Sequence, residues 1–143
     1  MKRKRILALD VGKKRTGLAQ SDPMLTIASP IGAFGTPAIF EKITSIQSDS
    51  EIIRFVVGYP LHINGDEGDS VHMVKSFVGE LKKNFPGIDV VYADERYSSF
   101  IAEQTIRESG VKKKKRQDKG LVDAVAASVI LQTYLDTLSN QNS

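Results

Sequence analysis

An α/β fold, built on one five-stranded mixed sheet with helices on both faces, is predicted by three features of the chain. Residues 5–10 and 16–21 are short apolar runs separated only by Val11 and the turn sequence Gly12-Lys13-Lys14-Arg15, and strands joined so tightly must be antiparallel. Residues 51–58 and 88–93 are two more such runs, each preceded by a segment with helical spacing, and strands separated by helices prefer right-handed parallel crossovers. With 143 residues, the chain fits a single domain large enough to bury a core.

The elements follow in order. Arg5-Ile6-Leu7-Ala8-Leu9-Asp10 is an apolar run bounded by charge, as a buried strand should be, and Thr16-Gly17-Leu18-Ala19-Gln20-Ser21 returns from the turn. A third strand is expected within residues 26–34, limited by Pro23 and Pro30, because proline cannot donate to a ladder. Pro37 suits the first turn of a helix reaching about residue 47, with Ile39, Phe40, Ile43 and Ile46 at helical spacing. The fourth strand, 51–58, is cut by Tyr59-Pro60, and the stretch 59–68 reads as a loop. Ser70 is a candidate N-cap for a helix with Val71, Val74, Phe77, Val78 and Leu81 on one stripe, ended by Pro86-Gly87. Residues 88–93 form the fifth strand. Ser98 or Ser99 caps a further helix stopping near Gly110, and a last helix spans about 120–137. Residues 1–138 thus make one domain, and 139–143 a frayed polar tail.

Composition narrows the function. The chain has no cysteine, which excludes disulfides and thiolate metal sites. Its start does not read as a signal sequence, and no apolar run looks long enough to span a bilayer, so a cytoplasmic protein without a membrane partner is expected. The net charge is only +3, yet Lys and Arg cluster at 2–5, at 13–15 and at 112–116. Local cation density is what a polyanion responds to, since each neutralised phosphate releases counterions. A single such run is as often a solvated face, but two of these lie beside candidate catalytic acids.

Those acids are Asp10, at the end of the first strand, Glu95, in Asp94-Glu95-Arg96 after the fifth, and Asp123, in the last helix. Parallel strands one, four and five would bring Asp10, Gly58-Tyr59-Pro60 and Asp94-Glu95 to one carboxyl edge, with Asp123 arriving from the side. Clustered carboxylates resist joint ionisation unless a divalent cation neutralises them, so the pattern points to Mg²⁺ or Mn²⁺ and, on a basic chain, to phosphodiester chemistry. Read singly, the same residues have plainer roles: Asp10 as a turn former, Asp123 as a first-turn acid favouring the helix dipole, and Asp94 with Arg96 as a surface ion pair. His62 and His72 enter no mechanism.

Four motifs in order carry a family resemblance over almost the whole chain. They are Leu9-Asp10-Val11-Gly12 with Thr16-Gly17-Leu18-Ala19, then Val57-Gly58-Tyr59-Pro60-Leu61 with Asn64-Gly65, then Asp94-Glu95-Arg96, and finally Val122-Asp123-Ala124 with Ala126-Ala127 and Ile130-Leu131-Gln132. In these the chain resembles the YqgF (RuvX) family of RNase H-like proteins, relatives of the Holliday-junction resolvase RuvC. The resemblance implies an RNase H-like fold, a bacterial cytoplasmic protein, a nuclease role in maturing the 5′ end of pre-16S rRNA, and junction resolution as a further proposed activity. Asp10 and Asp123 match the first and last acidic positions of the family pattern. For the middle acid, alternation along Val91-Tyr92-Ala93-Asp94-Glu95 sends Asp94 and Glu95 to opposite faces, and Glu95 is preferred. The chain departs from the pattern at Tyr97-Ser98-Ser99, which keeps the hydroxyls, and at Tyr59, where a smaller aliphatic residue is common; Tyr59 either stacks on a base or packs.

Two divalent ions roughly 4 Å apart, held by Asp10, Glu95 and Asp123, would activate a water and stabilise the leaving oxyanion. Gly12 and Gly58 would let the backbone pass close to the scissile phosphate. Lys13, Lys14, Arg15 and the run Lys113, Lys114, Lys115 and Arg116 would grip flanking phosphates, and Arg96 would either touch substrate or pair with Asp94. Pre-rRNA is the favoured partner, branched DNA the alternative, and a monomer and a homodimer both remain open. Two rival classes are weighed. A phosphotransfer site of the actin-like kind needs two such domains to clasp a nucleotide, and this chain supplies one. A non-catalytic RNA-binding assembly factor would need no clustered acids, so loss of metal binding on changing Asp10 separates it from a nuclease.

Overall fold

The run Ile6-Leu7-Ala8-Leu9 is completely buried and forms the centre of the sheet. In the computed structural model, which describes residues 2–60, 70–94, 98–108 and 119–141, this run belongs to β1 (Arg3–Val11). It is followed by β2 (Thr16–Ser21), β3 (Ala28–Phe34), α1 (Ala38–Gln47), β4 (Ser50–Tyr59), α2 (Ser70–Asn84), β5 (Asp89–Asp94), α3 (Ser98–Glu108) and α4 (Lys119–Gln141). The strand order is β3-β2-β1-β4-β5. β1 pairs antiparallel with β2 and parallel with β4, β2 is antiparallel to β3, and β4 is parallel to β5. This is the expected mixed sheet, with the two parallel neighbours reached through helical crossovers.

Period-two alternation in β1 sorts its side chains between two cores. Leu7, Leu9 and Val11 join Phe55 and Val57 of β4 beneath Ile39 and Ile43 of α1 and Val74, Val78 and Leu81 of α2. Ile6 and Ala8 face the other way, with Ala19 and Val56, under Ala127, Ile130, Leu131 and Leu135 of α4. α3 packs on α4, with Ala102 and Ile106 buried. The β2–β3 loop is organised by Asp22, whose carboxylate accepts from the backbone N–H groups of Ile27, Thr26 and Met24. Those donors, Ile27 foremost, hold the carboxyl below its ordinary pKa against the opposing effect of burial. Gln132 of α4 then ties this loop to the helix, accepting from Ala28 N–H at 2.9 Å and donating to the Thr26 carbonyl at 3.0 Å.

Three details differ from the sequence reading. Pro37 sits just before α1, at its N-cap position, one residue earlier than expected. The last helix is longer than the expected 120–137: it runs from Lys119 to Gln141, with Leu138 packed against the core. The same helix also overturns the expectation that no segment is long and apolar enough to cross a bilayer, since residues 120–140 meet both criteria by length and composition. Asp123, Gln132 and Asp136 had masked that pattern. In the fold, its alanine, isoleucine and leucine stripe is used as core against the sheet.

Candidate active site at the carboxyl edge of the sheet

Asp10 is the last acid of β1 and lies directly opposite Gly17 of β2. It follows Ile6 and Ala8 in the alternation, which puts it, half-buried, on the face covered by α4. Gly17 is what lets α4 come down onto that face. A β-carbon there would stand 2.1 Å from the Asp123 carbonyl oxygen and 3.2 Å from the Ala124 nitrogen, so no other residue fits without moving the helix. The backbone of Asp123 therefore rests on the strand residue paired with Asp10, which puts two residues 113 positions apart in sequence on the same edge and face of the sheet.

Asp123 is the fifth residue of α4. This disfavours the plainer reading of it as a dipole-stabilising acid, because that effect is confined to the first turn. Its Oδ2 instead accepts from Arg15 Nε at 3.1 Å, with the two side chains 32% and 35% exposed. Exposed pairs of this kind contribute only about 0–1 kcal/mol, so the contact says more about position than about stability. The sequence reading had given Arg15 to substrate phosphates alone; no local pattern could reveal a partner 108 residues away.

The turn that presents Arg15 is closed by a hydrogen bond from Gly12 N–H to the Arg15 carbonyl, 3.0 Å long. A β-carbon on Gly12 would lie 2.7 Å from that carbonyl oxygen. The demand for glycine there thus has a cause within the chain, whether or not a phosphate passes nearby. Lys13 and Lys14, at the tip of the turn, are exposed.

On the parallel side the register runs Leu9 to Val57, then Gly58 to Ala93 and Tyr59 to Asp94. Gly58 is buried at this edge. Val91 and Ala93 pack on the α4 side, so alternation turns Asp94 to the face of α1 and α2, away from Asp10 and Asp123. Tyr59 lies beside Asp94, and its ring meets Tyr92 edge-on at 5.2 Å, which places it against another side chain on the face opposite the acids. Glu95, Arg96 and the run Lys113, Lys114, Lys115 and Arg116 lie outside the described residues, as does His62. His72 is exposed on α2. Among the described residues no group of three potential metal ligands is assembled; the edge offers the carboxylates of Asp10 and Asp123. Hard oxygen donors of this type suit Mg²⁺ or Mn²⁺ rather than softer ions, and the guanidinium beside Asp123 marks the edge as a place where positive charge is accommodated.

A mixed sheet in this order, with an acid ending its central strand and another on the helix packed across it, defines an RNase H-like α/β protein. The chain belongs to the RuvX family, described as Holliday junction resolvase, which matches residues 4–137. A Bacteroides fragilis protein named "Putative pre-16S rRNA nuclease" is 41% identical over 133 residues, covering 93% of this chain and 96% of its own length. Proteins of the same name from Porphyromonas gingivalis and Chlorobium phaeobacteroides are each 42% identical, over 132 and 137 residues, covering 92% and 96% of this chain and 96% and 95% of their own lengths.

Proposed function

We propose that the chain is a divalent-metal-dependent nuclease of the bacterial cytoplasm that hydrolyses phosphodiester bonds in the 5′-end processing of pre-16S rRNA. The observation that carries this reading is the close approach of the Asp123 backbone in α4 to Gly17, the β2 partner of Asp10, in a chain matched by the RuvX family over residues 4–137; it supports a site shared by the two acids. Arg15 partly offsets the charge of Asp123, and a divalent cation would offset that of both acids. The names of the relatives support precursor 16S rRNA as the substrate.

Asp10 and Asp123 would hold the metal, one or two ions of Mg²⁺ or Mn²⁺, and the placement of Asp94 on the opposite face supports Glu95 as the third ligand. Bound there, the metal supplies a nucleophilic water near neutral pH and charge stabilisation of the leaving oxygen. The chain's own residues position the substrate. Lys13 and Lys14 face solvent on the turn beside Asp10 and suit the phosphates flanking the cut, while the run at 113–116 would extend that grip. A second reading, cleavage of branched DNA, is favoured by the description of the family as a Holliday junction resolvase.

Purified protein with Mn²⁺ or Mg²⁺, given precursor rRNA, single-stranded RNA and four-way DNA junctions, separates these readings. Cleavage of the precursor that disappears in Asp10→Asn is the expected result. Binding without cleavage on every substrate would return the chain to the assembly-factor reading, and preferential cutting of junctions would move it to DNA.

A further inference from the structure

We infer that Arg15 is a substrate-positioning residue held in reserve on Asp123: a divalent cation taken up at the acidic edge displaces the guanidinium, which then reaches a phosphate of the nucleic acid. The inference rests on the nuclease reading and concerns how the same edge is regulated. Arg15 donates from Nε to Asp123 Oδ2 at 3.1 Å, and about a third of each side chain is exposed, so solvent and ligands reach the pair. Its backbone, by contrast, is pinned. The Arg15 carbonyl closes the turn with Gly12 N–H, and the next residue, Thr16, is buried in β2. The movable part is the side chain.

The chemistry of the exchange follows from charge. A guanidinium pairs equally well with a carboxylate or a phosphate, because both present oxygens that match its planar donors. An exposed ion pair is weak, whereas a dication carries twice the charge and binds carboxylate oxygens directly. Once the metal holds Asp123, Arg15 is left beside the exposed Lys13 and Lys14, and the turn becomes a three-cation surface for a phosphate backbone. Metal and nucleic acid then strengthen each other's binding, and by linkage the effect is reciprocal. The free protein keeps one cation neutralised internally and so grips nucleic acid less strongly before it is loaded.

The test is Mn²⁺ binding to the full chain by titration calorimetry in the absence of nucleic acid. Arg15→Gln should bind Mn²⁺ roughly three- to tenfold more tightly than wild type, because no cation has to be displaced and a repelling charge is gone. Arg15→Lys, which keeps the charge but not the fork, should fall between the two. For a single-stranded oligouridylate, added Mn²⁺ should steepen the fall of log affinity with log salt by about 0.7 more in wild type than in Arg15→Gln, the share of one extra phosphate contact. Equal or weaker Mn²⁺ binding by both Arg15 variants would overturn the exchange and leave Arg15 as a fixed support for Asp123. Wild-type Mn²⁺ affinity in Asp123→Asn would instead overturn the nuclease reading beneath it.

Discussion

The two faces of the sheet differ in their packing, one carrying aromatic rings and the other alanines and a glycine contact. Under α1 and α2 the contacts are made by large side chains: Phe40 stacks on Phe77 with ring centroids 5.5 Å apart, and Phe55 meets Phe85 at 5.9 Å. Under α4 the core is aliphatic, with Ile6, Val56, Ile130, Leu131 and Leu135 interleaved with Ala8, Ala19 and Ala127, and Gly17 stands at its edge. Large residues hold a helix away from a strand and fill the space between; small residues let the backbones touch. Asp10 and Asp123 both lie on the α4 face, where Gly17 lets helix and strand approach closely, and two carboxylates on different elements can share a ligand only where those elements come together.

Substitutions on each face should therefore separate stability from the site. Phe55→Ala removes a fully buried ring and should cost about 3–5 kcal/mol in chemical denaturation, while the folded fraction still binds Mn²⁺ as wild type does. A loss of Mn²⁺ affinity in that folded fraction would show that the two faces are not independent.

Gly17→Ala adds one carbon where 2.1 Å separates it from a carbonyl oxygen. It should destabilise by about 1–3 kcal/mol and, unlike Phe55→Ala, weaken Mn²⁺ binding because the helix bearing Asp123 must move. The contrasting glycine is Gly79, exposed on α2 with nothing within 4 Å of its would-be β-carbon. Gly79→Ala should stabilise the protein by about 0.5–1 kcal/mol and leave metal binding unchanged, since alanine loses less backbone freedom in a helix. If the two alanines acted alike on Mn²⁺ binding, close approach would not be what Gly17 supplies.

The same contrast explains what the sequence made legible. The strand and helix order, the mixed sheet and the placing of Asp10 at a strand end are local matters of apolar period, turn residues and connection length, and Ile6-Leu7-Ala8-Leu9 and the stripe Val71, Val74, Val78 and Leu81 carry them openly. Asp123 was singled out through its motif, and the structure places it on α4 beside Gly17. The function of Gly17 was not legible, because a glycine inside a strand signals some close approach without naming what approaches; the answer is a carbonyl more than 100 residues away. The pairing of Arg15 with Asp123 was hidden for the same reason, and a run of like charges disguised it as a uniform phosphate grip. At the C-terminus the helix extends a few residues beyond the apolar pattern that marked it in the sequence, and Leu138 still packs on the core.

The most direct test of the account is whether Asp10 and Asp123 serve one cation site, measured by Mn²⁺ titration calorimetry of wild type, Asp10→Asn, Asp123→Asn and the double variant. If the close approach at Gly17 builds a shared site, each single substitution abolishes or severely weakens the same binding event, and the double variant is little worse than either single, as expected of ligands acting as a unit. Should either single variant bind Mn²⁺ with wild-type affinity and stoichiometry, the two acids would not share a metal, and the central claim would fail.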